Sequence, residues 1–213
     1  MSQSVNQLTL NEIRLAVAEK YGRVASFPDA DHPFPIGRDF ALSLGYDPEQ
    51  LEHLPRRAVD AFAGISNPLI AADLRPGEIV LDLGCGAGMD TLLIANRVGP
   101  SGFVHGVDLS DEMLACARDC AAEANFRNIG LYQVPAEAVP LGDSSVDVMI
   151  INGIFNLCPD KYQVMTEAYR LLRPGGRMLV SEIVVRGKKN MGCENISRHW
   201  EDLPHVSLDD WFR

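Results

Sequence analysis

The run Val80-Leu-Asp-Leu-Gly-Cys-Gly-Ala-Gly88 constrains this chain more than any other segment. Its first half is apolar enough for a buried strand, and its second half carries glycines at 84, 86 and 88. Glycine adopts backbone angles that other residues avoid and lets a ligand come close to the main chain. An apolar strand that runs into such a turn and then into a helix is the start of an open α/β sheet, where ligands bind beyond the carboxyl ends of the strands. About 20 residues on, Phe103–Asp108 reads as a second strand ending in an acid, placed to accept hydrogen bonds from ribose hydroxyls.

The following sequence keeps this rhythm. A helix is expected over 88–98, stopped by Gly99-Pro100, and a second over 111–124, capped by Ser110 with Asp111 and Glu112 at its positive end. Further strands are expected at 129–134, 146–151 and 178–185. Val164, Ala168, Leu171 and Leu172 mark a helix face that Pro174-Gly175-Gly176 ends. Apolar strands alternating with helices predict a parallel sheet covered on both faces. The fold class is α/β, a Rossmann-like, doubly wound, mostly parallel sheet.

Ahead of it, residues 1–75 read as a helical N-terminal extension or lid. Leu10, Ile13, Val17 and Tyr21 predict a helix over 8–21, with Gly22 as its stop. The three prolines of 26–35 force a loop, and shorter helices are expected at 37–44, 48–61 and 67–74. The α/β core spans 76–185, followed by an irregular tail, 186–213. The tail shows little apolar alternation, so edge strands beyond the fifth are expected to be absent. A homodimer partner or the extension is then expected to cover that edge, because a bare edge invites aggregation.

A net charge of −10 argues against a phosphate-tracking nucleic-acid surface and against anionic membranes. Arg14, Arg56, Arg57 and Lys188–Lys189 read as solvated surface charge. No stretch approaches the roughly 18 consecutive apolar residues of a membrane span, and the N-terminus lacks the pattern of a signal peptide. Five scattered cysteines point to reduced thiols and a cytoplasmic location. Cys193, His199 and His205 do not match a zinc spacing, and no metal is expected. Cys116 and Cys120 share a helix face, where two thiols are able to bind a soft metal.

The glycine pattern itself separates ligands. A dinucleotide turn wants glycine at its sixth position, where this chain has Met89. Asp82, just ahead of the turn, binds a cationic amino group or braces the loop. A pyrophosphate gains little from an acid there, whereas a sulfonium cofactor with an ammonium group fits.

These residues, with Gly106-Val-Asp-Leu-Ser110, Ala138-Val-Pro-Leu141 and Leu171-Leu-Arg-Pro-Gly-Gly176, resemble class I methyltransferases that use S-adenosylmethionine and release S-adenosylhomocysteine. The resemblance covers about 78–185. It implies that Asp82, Gly84, Cys85, Gly86 and Gly88 surround the methionine part and Asp108 holds the ribose. It places Leu109 and Met113 against the adenine and Ala136 and Glu137 at its edge. Pro135 stands where many relatives carry an acid for the adenine amino group.

A closer resemblance is to the arsenite methyltransferase group, carried by Gly45-Tyr-Asp-Pro-Glu49, Gly64-Ile-Ser-Asn-Pro68, Met89-Asp90 and Asn152-Gly-Ile-Phe-Asn-Leu-Cys-Pro-Asp-Lys161. That group binds trivalent arsenic through cysteine thiolates, soft ligands suited to such a centre. Here Ile65 and Gly153 occupy two of the three thiol positions. Cys193 is a match for the third, and Cys158 is placed to compensate. The resemblance implies methyl transfer, and the substitutions imply a small organic acceptor. Arsenite methylation with an altered thiol set, or a non-catalytic cofactor-binding module, are the alternatives. An oxygen nucleophile would want a general base, for which His32, His53, Tyr21 and Glu182 are candidates. Asn152 is expected to orient acceptor or cofactor, and the catalytic candidates are Asn152, His32 and Tyr21.

Overall fold

A computed structural model describes residues 9–184. Four helices lead the chain: α1 (Leu10–Ser26), α2 (Gly37–Ser43), α3 (Pro48–Glu52) and α4 (Arg56–Asp60). The α/β part then runs β1 (Ile79–Leu83), α5 (Met89–Val98), β2 (Phe103–Asp108), α6 (Asp111–Glu123), β3 (Ile129–Gln133), β4 (Val146–Asn152), α7 (Lys161–Leu171) and β5 (Leu172–Ser181). All strand pairs are parallel, in the order β3-β2-β1-β4-β5. The chain order reverses between β1 and β4, and that switch point opens the crevice in which such sheets bind ligands.

Period-two alternation sorts the strand residues between two cores. Val80, Val104, Val148 and Ile150 pack with α5, α6 and the N-terminal helices. Leu81, Leu83, Met149 and Ile151 pack with Val164, Ala168 and Leu171 of α7 on the other face. The N-terminal residues Val24, Ala41, Leu51 and Val59 belong to the first core, so α1–α4 are built into the sheet's covering layer.

Local chemistry sets several boundaries. Thr9 and Glu12 form a reciprocal capping box that starts α1, and the Ser110 hydroxyl accepts from Met113 N to start α6. α1 does not stop at Gly22. It crosses the start of α6 there, where a Cβ would fall 2.6 Å from Glu112 Oε2 and 2.8 Å from Ser110 Oγ, so glycine serves close approach. The helix expected over 48–61 is two helices, because Pro55 has no N–H to continue the first. Of 67–74 only a 3₁₀ turn forms, Pro68–Ile70. β5 begins directly after α7 and ends at Ser181, four residues short of the expected 185. Val146 pairs with Leu172 but Val148 with Arg177, so Arg173–Gly176 bulge out of the ladder. Glu182 therefore lies beyond the strand. Residues 186–213, with Cys193, His199, His205 and Lys188–Lys189, fall outside the described residues. No described helix is long and apolar enough to cross a membrane.

Candidate functional site

The crevice at the switch point is a cleft of about 990 Å³, counting its open mouth. Its floor is the glycine turn. Gly84, Gly86 and Gly88 all have positive φ, at 83°, 53° and 89°. At Gly84 the room for a side chain is taken by Ile154, and at Gly88 a Cβ would meet Ala117 of α6 at 3.1 Å. The turn is thus glycine both for its backbone angles and for its neighbours. Gly84 and Gly86 line the cleft. Gly88 caps α5 behind it.

Three carboxylates gather at this end. Asp82 is buried at the end of β1 and accepts a hydrogen bond from Thr91 Oγ1 at 2.5 Å. Burial raises its pKa from 3.8 to about 7, and Asp90 and Asp108 push in the same direction. Asp90, also buried, accepts from the Tyr46 hydroxyl at 2.6 Å and from Asn152 Nδ2 at 3.0 Å. Burial pushes its carboxyl up as well. Asp108 accepts from Gly86 N and Ser110 N, both at 2.9 Å, which fixes the turn against the end of β2. Burial raises it too. Buried carboxylates crowded together hold their charge at a cost, which a bound cation would relieve.

Leu109, Met113 and Ala136 also line the cleft, beside Val107 and Val134. Cys85 lines it as well, but its Sγ packs back on Gly106, 3.1 Å from where a Cβ there would sit. Glu137 is buried and paired to Arg14 Nη2 of α1 at 3.0 Å. Arg14 is therefore no free surface charge. It lines the cleft, and its Nε is buried without a hydrogen-bond partner. α1 adds Val17, Ala18 and Tyr21, α4 adds Ala58, and the stretch after it adds Ala61 and Phe62, which makes one wall largely apolar.

The catalytic candidates separate. Tyr21 faces the cleft, stacked on Phe34 at 5.3 Å, and burial raises its phenol pKa, so it stays protonated. His32 does not reach the cleft: its Nε2 lies 2.9 Å from the Phe27 carbonyl and its ring stacks on Phe34. The proline-rich loop turns back on its own helix rather than over the site. His53 is exposed, with Nδ1 on the Glu49 carbonyl. Glu182 accepts from Asn156 N and Ile183 N, each at 2.8 Å. Cys158 lines the cleft, but burial pushes its thiol up to about 12.

Asn152 faces the cleft with its amide fully engaged. Its Oδ1 accepts from Ile65 N and Ser66 N at 3.1 and 3.2 Å, and its Nδ2 donates to the Ser66 carbonyl and Asp90 at 3.0 Å each. It clamps segment 64–66 to the end of β4. Ile65 and Gly153 are thereby brought together: a Cβ on Gly153 would lie 3.0 Å from Ile65 Cγ2. Sequence reasoning left Asp90 and Arg14, which line the cleft, and Tyr46, which holds Asp90, without a role. For Asp90 and Tyr46 a signal existed, since both stand in runs shared with the arsenite group.

A methyltransferase-domain family model matches residues 74–208. The chain is 43% identical over 141 residues to an arsenite methyltransferase of Halobacterium salinarum, covering 66% of this chain and 36% of that protein. It is 36% identical over 105 residues to a demethylmenaquinone methyltransferase of Listeria monocytogenes, covering 49% of this chain and 44% of that protein. An arsenic(III) S-adenosylmethionine methyltransferase of Chlamydomonas reinhardtii, known from a crystal structure, is 36% identical with a TM-score of 0.52, over 68% of this chain and 48% of that one. This chain spans between a third and a half of the length of the curated relatives it matches. The matched span contains the glycine turn, the carboxylates and every strand of the sheet, and the chain belongs to the methyltransferase-domain family.

Proposed function

We propose that this chain binds S-adenosylmethionine in the cleft and directs its methyl group to a small, mainly apolar organic acceptor. The observation that carries this reading is the glycine turn between the Asp82 and Asp108 carboxylates, opening into a cleft walled by Val17, Ala18, Tyr21 and Phe62. When bound, S-adenosylmethionine supplies an electrophilic sulfonium methyl. Asp82 would receive the ammonium group, the turn would admit the methionine part, and Asp108 would accept from the ribose. Leu109, Met113 and Ala136 would flank the adenine, with Glu137 held by Arg14 at its edge. Tyr21 and Phe62 exclude water, and Asn152 keeps the 64–66 segment in place. Holding two reactants in line is itself a large rate effect.

The candidates for a general base are all accounted for otherwise. Tyr21 and Cys158 keep their protons, Glu182 is tied to backbone, and His32 and His53 lie away from the cleft. We therefore favour an acceptor that brings its own nucleophile, such as an amine, a thiolate, a phenolate or a stabilised carbanion. Tyr21 can then donate a hydrogen bond to it.

Isothermal titration with S-adenosylmethionine tests the cofactor. Absence of binding removes the whole reading. Turnover to S-adenosylhomocysteine over a panel of small aromatic and amine acceptors tests the reaction. A second reading is arsenite methylation, favoured by the 43% identity to an arsenite methyltransferase. Ile65 and Gly153 weigh against it, and arsenite-stimulated turnover by the unaltered protein would restore it. Cofactor binding without turnover on any acceptor would favour a binding module. A cytoplasmic, reduced setting and a second copy over the outer edge of β5 belong to this proposal, and light scattering reads the latter directly.

A further inference from the structure

Outside the cleft, Cys116 and Cys120 stand one turn apart on α6 with their sulfurs 4.0 Å from each other. Both side chains are buried, and neither lines the cleft. They lie against α4, with the Arg57 side chain beside Cys116 and the Ala58 backbone beside Cys120. Arg57 is paired with Asp119 of α6 at 3.0 Å, and the two side chains are 60% and 64% exposed. Such an exposed pair contributes little and opens easily, which gives an access route to the sulfurs.

We propose that Cys116 and Cys120 form a chelating site for a trivalent arsenical bearing one organic group. Thiolate sulfur is the ligand that soft, thiophilic centres prefer. The relative position of the two sulfurs selects among such centres. Side by side on one helix face, they suit a pyramidal centre that takes both on the same side. A linear two-coordinate metal needs them on opposite sides. The reaction is an exchange without redox change. Two As–O bonds of the hydrated arsenical break, two As–S bonds form, and the two thiol protons leave with the hydroxyl groups as two waters. Hydrogen bonding from Cys120, aided by Arg57, favours the Cys116 thiolate that starts the exchange. The site does not depend on which acceptor the cleft takes, because neither sulfur-bearing residue lines the cleft.

The probe is phenylarsine oxide, added to the folded 213-residue chain and read by intact mass. One phenylarsenic per chain is expected, retained against excess glutathione and removed by a dithiol. Cys116→Ser and Cys120→Ser should each abolish that retention, while Cys85→Ser, Cys158→Ser and Cys193→Ser should keep it. Peptide mapping of the wild-type adduct guards against a variant that fails to fold: the arsenic must sit on the peptide holding 116–120. No adduct, an adduct lost to glutathione, or an adduct mapped to another cysteine overturns the proposal.

Discussion

Replacing Asp82 with Asn should make the protein more stable and a poorer binder of S-adenosylmethionine. Asp82 is 2% exposed, and its pKa is raised from 3.8 to about 7, chiefly by burial. Above pH 7 the folded state must hold a charge that the unfolded chain holds freely. At about 1.36 kcal/mol per unit, a rise of some three units corresponds to about 2–4 kcal/mol of lost stability, allowing for the neighbouring Asp90. Asn keeps the shape, and its carbonyl still accepts from Thr91. Near pH 8 the variant should therefore melt on the order of 5–10 °C higher than wild type. The direction with pH follows from a folded-state pKa above the unfolded one. Wild type loses this stability as pH rises through about 7, so the variant's advantage shrinks below pH 7 and is nearly gone near pH 4. Cofactor affinity should move the other way, roughly ten- to a hundredfold weaker, through loss of a charge-assisted partner for the ammonium group. Thermal melts across pH and calorimetric titration measure both. A variant that melts lower than wild type at pH 8, or binds the cofactor equally well, refutes the reasoning.

Asn152→Ala removes four hydrogen bonds at once and strands half-buried backbone groups at Ile65 and Ser66. It should lower unfolding free energy by about 3 kcal/mol in urea denaturation. Gly84→Ala imposes a side chain at φ 83° in space that Ile154 fills. A loss of about 2–4 kcal/mol and at least tenfold weaker cofactor binding should follow, while the open position Gly142 tolerates alanine. Ile65→Cys with Gly153→Cys should introduce arsenite-stimulated cofactor turnover, at a strain cost of about 1–2 kcal/mol from residue 153 at φ 84°. A folded double variant that binds arsenite yet shows no stimulated turnover would mean the acceptor is decided elsewhere.

The parts of this fold written in local chemistry were readable from the sequence. Phe103–Asp108 needs no tertiary information, since Gly99-Pro100 ahead of it and its terminal acid mark both ends. Ser110 and the acids after it mark the start of α6 for the same reason. The parts set by distant contacts were not readable. Gly22 looks like a helix stop until α6 is seen crossing it. Arg14 looks like a solvated charge until Glu137, 123 residues away, is beside it. Asn152 is a polar residue at a strand end until the backbone 86 and 87 residues earlier closes on its amide. Residues 1–75 read as an extension or lid with His32 in their proline-rich loop, but nothing in that loop's composition says which way it folds.

The wall at Ile65 and Gly153 is better understood as a repacked surface than as a decayed one. The two positions touch, since a side chain on 153 would start 3.0 Å from the Ile65 Cγ2. The resemblance to the arsenite group implies cysteine at both. Here one is isoleucine and the other glycine. Paired changes of this kind conserve volume, which cores tolerate far better than an unmatched loss. The Asn152 clamp fixes the Ile65 backbone, with every amide atom engaged. A fully satisfied polar network of this kind rigidifies what it holds. The clamp fixes the 64–66 backbone at the end of β4. What it holds, next to the cleft-lining Gly64 and Gly153, is an aliphatic side chain where the arsenite resemblance implies a soft donor. Under the proposed reading, that fits an acceptor held by shape and apolar contact rather than by sulfur.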